Sequence, residues 1–436
     1  MVVEPHLDDL DTATATYQPY DKASSSQQLL TVDNYELSGP VFLAQPTTTG
    51  ASTYLHAAAT SPGLCKVNGS LQTAAGGGPE HRRSRPNDAL HYISQMLMED
   101  VDERVEICQG EAALQAAEKP FRDLLGQRLA YYLADGLEAR LAGSGGQVYR
   151  TLMERRTSPT DWLEAYSLFV AACPFVRTSY YFASQAILDK FAQQEEGAPK
   201  LRITGIDVAQ PGFRPCEMIE ETGKRLADYA NLFKYHGIVA SRWETIKIED
   251  LNIDEDEVLI INCMYRMKNL GHETEAINSA RDKVLKIMRM MNPKIFISGT
   301  VNGLRSSPFF IKRFKEVMFH YSSVFDVLDS NVVRRDNKAR KMIERMIFGK
   351  DALNMIACEG SERTERPESY RQWQARCLKA GFQQLPVDPA VLRIIVYMKN
   401  TFWHEEFFAV EDRGWLLQGW KGRVLYAISK WKPDET

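Results

Sequence analysis

The segment from Glu359 to Arg366 holds the densest group of side chains that could carry chemistry. Its charged residues are Glu359, Glu362, Arg363, Glu365 and Arg366, and Trp373 follows. Two carboxylates can serve as a general acid and a general base. The alternating signs instead favour an ion-pair network, because a nearby guanidinium stabilises the ionised form of each carboxylate. We favour the network, keep the acid/base pair as the alternative, and call these six residues the charged motif.

Isolated side chains give weaker indications of catalysis. Asp207 ends a strand-like segment and could hold a ribose, but no glycine-rich turn precedes it; such a turn lets the backbone approach a nucleotide closely. His272 lies in a loop-like segment, and His404 precedes Glu405 and Glu406, but adjacent side chains on a strand point apart. Neither the eight histidines nor the seven cysteines have the spacing of a zinc site. We therefore predict no catalytic residue, no metal and no cofactor.

Composition excludes several classes of protein. The 436 residues carry a net charge of −4 at pH 7 and are 44% hydrophobic, which is typical of a globular chain and not of a strongly basic nucleic-acid binder. Apolar runs are too short for a membrane span, and the first residues do not form a secretory signal. Dispersed cysteines favour reduced thiols in the cytosol or nucleus.

The first 127 residues differ from the rest. Residues 1–88 form an acidic, Ser/Thr-rich tail with few large apolar groups, so we predict disorder there. Residues 89–127 predict short amphipathic helices that either fold on a partner or pack on the main domain. Such acidic, partly apolar composition is typical of transcriptional activation segments. Arg82, Arg83 and Arg85 indicate a nuclear-import signal or, alternatively, solubilising charge in a linker.

From residue 128 to 436 the pattern predicts one α/β domain. Helical segments come first and indicate an N-terminal cap. Apolar strand-like runs then alternate with helices, as in a parallel sheet covered on both faces. The expected strands include residues 201–207, 257–263, 294–298, 352–358, 392–397, 407–410 and 424–429. A parallel order that closes in an antiparallel hairpin predicts a Rossmann-like, methyltransferase-like sheet.

Three segments resemble the plant GRAS family of transcriptional regulators, in particular its scarecrow-like subgroup. The segment from Pro308 is similar to the family's PFYRE region, with Pro308, Arg313, Phe314, Glu316, Tyr321 and Phe325. The charged motif is similar to the family's E-G-x-E-R-x-E-R element. The C-terminal segment is similar to the SAW region, with Trp415, Gly419, Trp420 and Trp431.

Two family segments are missing. The VHIID motif is absent, because residues 191–199 run straight into Lys200-Leu-Arg-Ile, and most of the first leucine-heptad region is absent near residue 127. In the family, VHIID forms the central strand of the sheet. Each backbone group orphaned by its loss would cost about 1–3 kcal/mol, against a typical net stability of about 5–15 kcal/mol. The sequence therefore predicts either a sheet that pairs in another way or a chain that does not fold natively.

The resemblance implies a non-enzymatic transcriptional regulator in the plant nucleus, with the cytoplasm as a further location. It implies binding to DNA-binding transcription factors and to other GRAS proteins. Homo- or heterodimers and weak contact with promoter DNA remain open, and no membrane is involved. An alternative from another class is an S-adenosylmethionine-dependent methyltransferase on the same sheet. A further alternative is a truncated competitor or an inactive product.

Overall fold

The computed structural model describes residues 45–46, 51–59, 128–143, 145–154, 159–192, 201–208, 216–227, 233–254, 257–271, 279–331 and 338–435. Apart from two strands, the predicted tail (residues 1–88) lies outside the described residues. The predicted helices of residues 89–127 also lie outside them, as do Arg82, Arg83, Arg85 and His272. Among the described residues, no helix is both long enough and apolar enough to cross a membrane.

A mixed sheet forms the centre of the described part. Its strands, in chain order, are β1 (Gln45–Pro46), β2 (Ala51–Ala59), β3 (Leu201–Val208), β4 (Phe233–Ala240), β5 (Glu257–Met264), β6 (Ile295–Val301), β7 (Phe382–Leu385), β8 (Phe407–Asp412), β9 (Trp415–Trp420) and β10 (Arg423–Pro433).

The strand order confirms the predicted Rossmann-like, methyltransferase-like fold. Strands β4, β3, β2, β5 and β6 are neighbours in that order and all parallel. Strand β10 then pairs antiparallel with β6, β9 with β10, and β8 with β9. The short strands β1 and β7 pair antiparallel with β3 and with the end of β10. The buried runs in β5 and β6 are continuous, as expected for strands covered on both faces.

Helices precede the sheet and alternate with its strands. They are α1 (Leu129–Leu141), α2 (Gly145–Glu154), α3 (Pro159–Ala172), α4 (Pro174–Phe191), α5 (Glu217–Leu226), α6 (Ala280–Met290), α7 (Phe310–Asn331), α8 (Lys338–Ile343), α9 (Lys350–Ala357), α10 (Tyr370–Lys379) and α11 (Pro389–Phe402). A π-helical turn, Glu344–Gly349, joins α8 to α9. The helices α1 to α4 form the predicted N-terminal helical group.

Two expected strands are helices. Residues 352–358 lie in or next to α9, where Ala352–Ala357 are all buried, so the apolar run shows no helical period. Residues 392–397 lie in α11, which begins at Pro389 after Asp388; the Asp388 carboxylate accepts a hydrogen bond from the Ala390 backbone N–H at 2.7 Å. A run rich in Ile and Val suggests a strand, but these start signals favour a helix.

The C-terminal part is a three-stranded meander and not the expected two-stranded hairpin. Strands β8, β9 and β10 are joined by two-residue turns, Arg413-Gly414 and Lys421-Gly422. All four residues have positive φ. Two successive positive φ values define the tight turn that matches the twist of paired strands.

Strand β2 lies between β3 and β5, where the sequence lacks a central strand. Its residues 53–59 pair parallel with residues 202–208, and its residues 51–56 pair parallel with residues 257–262. Both neighbours therefore have a backbone partner along most of their length. Of the two outcomes that the missing VHIID strand predicts, the structure shows the sheet that pairs in another way.

The substitution Leu55→Pro tests this pairing, because residue 55 faces Thr204 of β3 and Ile261 of β5. Proline removes a ladder donor and should cost about 3 kcal/mol of unfolding free energy or more. Urea unfolding of the full chain, followed by circular dichroism, measures that loss. Leu55→Ala is the control, since it shortens the side chain and keeps the backbone N–H. Equal unfolding free energies for the two variants would contradict the pairing.

Candidate functional site

Helix α7 carries most of the PFYRE-like residues on a largely buried surface. The side chains of Phe314, Tyr321 and Phe325 are buried, and apolar residues recur along the helix as a wide stripe. Pro308 is exposed and precedes the first turn. These three aromatic side chains therefore pack inside the domain, whereas Phe309 at the start of the segment is 74% exposed.

Arg313 links α7 to the charged motif although its side chain is fully buried. Its Nε donates a hydrogen bond to the Met355 carbonyl oxygen at 2.9 Å, and its Nη1 donates to the Ser307 carbonyl oxygen at 2.9 Å. Its Nη2 forms an ion pair with Glu359. Burial lowers the pKa of Arg313, and the Glu359 carboxylate opposes that shift. A buried guanidinium needs several acceptors, so these contacts fix how α7 meets α9.

Glu359 also forms an ion pair with a second guanidinium, which comes from the N-terminal helical group. Arg140 of α1 donates from Nη1 to Glu359 Oε1 at 2.6 Å. Burial tends to raise the pKa of Glu359, but Arg313 and Arg140 outweigh that effect and lower the pKa. Glu362 lies near the surface, 3.3 Å from Arg150 Nη2 of α2. Arg363 is buried and donates to the same Ser307 carbonyl oxygen at 3.1 Å.

The second half of the charged motif turns inward. Glu365 is buried between Lys268, whose Nζ lies 2.5 Å from Oε2, and Asn269, whose Nδ2 donates to Oε1 at 2.7 Å. Arg366 donates from Nε to the Arg363 carbonyl oxygen at 2.8 Å and from Nη2 to the Gly360 carbonyl oxygen at 2.5 Å. These bonds close the loop on itself and tie it to the segment after β5.

Glu368 and two arginines extend the network to α6 and α10. Glu368 is buried and forms an ion pair with the fully buried Arg281 of α6. Arg376 of α10 donates from Nε to Glu368 Oε2 at 2.9 Å. The Arg281 guanidinium also lies 5.7 Å from the centre of the buried Trp373 ring. Glu368 is therefore shared by two cations in a water-poor place.

Asn354 is a positioning residue that sequence reasoning missed. Its side chain is fully buried in α9. Its Nδ2 donates to the Glu362 carbonyl oxygen at 3.0 Å, and its Oδ1 accepts from the backbone N–H groups of Thr364 and Glu365 at 2.8 and 2.9 Å. Asn354 lies in a run that resembles a strand, so nothing in its spacing signals this role.

The SAW-like residues form the other side of this network. Trp415, Trp420 and Trp431 are fully buried, and the rings of Trp415 and Trp431 meet edge to face with centroids 6.0 Å apart. A Cβ at Gly419 would lie 2.1 Å from the Arg423 carbonyl oxygen. Only glycine therefore fits there without a shift of the backbone.

Two contacts join the SAW-like strands to α7. Trp420 Nε1 donates to Asp326 Oδ2 at 2.6 Å, and Arg423 Nη2 donates to Glu316 Oε2 at 2.8 Å. The PFYRE-like residues, the charged motif and the SAW-like residues therefore meet on α7. We call these joined residues the α7 network.

The charged motif follows α9, because the strand that the sequence predicts at residues 352–358 is a helix. Its carboxylates contact guanidinium or ammonium groups, as in an ion-pair network. His404 is exposed, and its Nδ1 accepts a hydrogen bond from the Glu406 backbone N–H at 3.2 Å. Asp207 is buried at the end of β3. The described residues contain no cluster of three or more His, Cys, Asp or Glu side chains that could hold a metal ion.

Glu368→Gln tests the energetic weight of the inner ion pairs. The change removes the Glu368 charge from the buried Arg281, so we expect a loss of about 3–5 kcal/mol of unfolding free energy, measured by urea unfolding. Glu362→Gln is the matched control, because Glu362 and Arg150 are both largely exposed and such pairs contribute about 0–1 kcal/mol. Similar losses in the two variants would contradict this assignment.

Comparison with known proteins gives relatives over most of this region. The GRAS domain family matches residues 112–196 and 188–432. The two matches meet near the point where the sequence lacks the VHIID motif. The chain is 43% identical to Scarecrow-like protein 9 of Arabidopsis thaliana over 71% of this chain and 46% of that protein. It is 44% identical to Scarecrow-like protein 34 of Arabidopsis thaliana over 71% of this chain and 55% of that protein.

A solved structure agrees with the fold. The crystal structure of SCL7 in Oryza sativa aligns with a TM-score of 0.59 and 21% sequence identity, over 80% of this chain and all of that one. The chain spans about half the length of the curated relatives that it matches.

Proposed function

Because this chain belongs to the GRAS domain family, we propose that it regulates transcription in the plant nucleus, without catalysis, by binding other proteins. The observation that carries the proposal is that the family motifs and the exposed apolar side chains lie largely in different parts of the domain. Most side chains of the three family motifs lie in the buried α7 network, whereas α11 exposes four large apolar side chains, those of Ile394, Val396, Tyr397 and Phe402. Protein binding is the function that such an arrangement supports.

Helix α11 is anchored by few residues and exposes several apolar ones. Val391 and Ile395 are buried, whereas Ile394 is 44% exposed and Tyr397 is 63% exposed. Ile394 and Tyr397 lie three residues apart and therefore share a face. Phe402, 64% exposed, extends the apolar surface at the end of the helix. Exposed apolar surface of this kind marks an interaction site.

The partners that fit this surface are DNA-binding transcription factors and other GRAS proteins. An exposed helix with an apolar face can lie in a groove of a partner. A homodimer or heterodimer would use the same face. Direct contact with promoter DNA is secondary, because residues 61–436 carry only a small positive net charge.

The acidic tail would then recruit the activating machinery. Residues 1–60 hold seven acidic residues and one basic residue, and acidic segments with scattered apolar groups suit such recruitment. Arg82, Arg83 and Arg85 would direct import to the nucleus. The transcription factor bound to the domain would determine which promoter the complex occupies, and the acidic tail would activate transcription there.

The double substitution Ile394→Asp/Tyr397→Asp tests the α11 surface. In a pairwise screen of the full chain against a panel of plant DNA-binding transcription factors and GRAS proteins, we expect wild type to bind at least one member. The double variant should lose that binding by at least about tenfold, because charge replaces apolar contact at the centre of an interface.

Tyr131→Asp is the control for this experiment, since it introduces the same charge at an equally exposed tyrosine, in α1, that is also 63% exposed. It should bind as wild type does, and the thermal melts of all variants should agree. Failure of wild type to bind any member would contradict the proposed function. Equal binding by wild type and the double variant would contradict the α11 surface alone.

A reporter experiment tests the tail in the full chain. Fused to an unrelated DNA-binding domain, wild type should activate a reporter gene, and replacement of four tail acids, Asp8, Asp9, Asp11 and Asp21, by Asn should reduce activation several-fold. The control replaces four exposed acids of the described part, Glu164, Glu249, Glu405 and Glu406, by Gln. An equal reduction in both variants would show that net charge, and not the tail, determines activation.

A further inference from the structure

A cavity of about 120 Å³ lies beyond the carboxyl ends of β5 and β6. Tyr265 and Arg266 line it immediately after β5, and Arg305 lines it shortly after β6. In open α/β sheets, ligands bind outside the carboxyl ends of the strands. An apolar cavity of about 150 Å³ holds benzene in another protein. The two volumes are of the same order, so the space limits a ligand to about one small ring.

Two of the three guanidinium nitrogens of Arg305, which lines this cavity, have no hydrogen-bond acceptor among the described residues. Its side chain is fully buried, and its Nη1 donates to the Asn302 carbonyl oxygen at 3.2 Å. Its Nε and Nη2 have no hydrogen-bond partner in the part of the chain that the structure describes. These two nitrogens form one edge of the guanidinium, which is the fork that pairs with both oxygens of a carboxylate.

The neighbouring groups do not supply that carboxylate. Glu316, the acidic group that acts most on Arg305, accepts a hydrogen bond from Arg423 at 2.8 Å. Lys268 lies 2.5 Å from Asp351 and 2.5 Å from Glu365, the two acidic residues that line the cavity. Burial lowers the pKa of Arg305, as expected for a cation without its own counter-charge.

Cationic side chains outnumber acidic ones in the lining. Its ionisable residues, apart from His320 and the tyrosines, are Arg266, Lys268, Arg305, Lys350, Asp351 and Glu365. The set includes four cations and two carboxylates, and a counter-charge beside a buried cation is favourable. His320 adds another unused polar atom, because its Nδ1 has no hydrogen-bond partner among the described residues. A single bound anion would supply the acceptors that the Arg305 fork lacks.

Aromatic rings form much of the remaining wall. Tyr265 and Tyr426 meet edge to face with centroids 5.2 Å apart, and Phe169 and Phe348 meet in the same way, also at 5.2 Å. Such walls prefer a flat ring that can stack or meet their edges. The wall and the fork together describe a ligand with a ring at one end and a carboxylate at the other.

We propose that this cavity binds a small aromatic carboxylate, with its carboxylate on Nε and Nη2 of Arg305 and its ring among the aromatic side chains. A phosphate fits less well, because its additional oxygens would need donors that one guanidinium edge does not supply. The proposal is independent of which protein binds to α11, since the cavity lies inside the domain.

Titration calorimetry of the full chain tests the site with benzoate as the probe. We expect binding of one benzoate per chain and a higher melting temperature in its presence. Benzamide, which has nearly the same shape and no charge, should bind at least about tenfold more weakly. Inorganic phosphate should give no saturable heat. No benzoate binding at millimolar concentration, or binding of benzamide or phosphate as tight as that of benzoate, would overturn the proposal.

Substitutions in the lining test whether benzoate binds in the cavity. Arg305→Gln should weaken benzoate binding at least about tenfold, and Arg305→Lys should restore part of it, because lysine keeps the charge without the fork. Arg289→Gln is the control: Arg289 also donates to backbone carbonyl oxygens, those of Gly381 and Asp434, but it does not line the cavity, so benzoate affinity should stay unchanged.

A second variant keeps the test decisive if Arg305→Gln does not fold. Val301→Phe adds volume at the half-buried wall beside β6 and leaves the arginine in place. It should abolish benzoate binding by occlusion. Unchanged affinity in either Arg305→Gln or Val301→Phe would overturn the assignment to this cavity.

Discussion

A buried guanidinium must find acceptors, and this requirement organises the domain. Arg281, Arg313 and Arg366 have little or no exposed surface, and each combines backbone carbonyl oxygens with an acidic side chain or a closed loop. Carbonyl oxygens are fixed in space by the backbone, so each arginine ties one segment to another at a defined distance. The path of the loop between α9 and α10 follows from these bonds, because few other conformations would satisfy so many donors.

The backbone of the sheet must likewise find hydrogen-bond partners for its polar groups. Interior strands must pair on both sides, since an unpaired edge inside the domain would leave a row of donors and acceptors without water. Strand β2 fulfils this need from a distant part of the chain, and it pairs with both β3 and β5. Loss of a family segment can therefore be compatible with a continuous sheet, at the cost of bringing together two strands that residues 60–200 separate. That closure cost grows only slowly with length.

Sequence patterns predicted the helices and strands whose apolar residues form a regular stripe or a continuous run. The stripe of α7 and the continuous apolar runs of β5 and β6 could be recognised because they follow from neighbours in sequence. Helix α9 could not, since burial on all sides removes its period. The roles of Asn354 and Arg305 depend on partners that only the folded chain brings together, and so does the pairing of β2. The charged motif was recognisable from its alternating signs, but its partners Arg140 and Arg281 were not.

The cavity and the α7 network are physically continuous. His320 belongs to α7, and Tyr426 belongs to β10, whose next neighbours in the sheet are β6 and β9. A ligand that satisfied Arg305 would therefore add its binding free energy to the junction at which α7 meets the SAW-like strands. Binding to the native state alone stabilises a protein by about 2.7 kcal/mol at one hundred times the dissociation constant. In a domain whose sheet depends on a strand from a distant segment, that amount can shift the population between complete and incomplete folds.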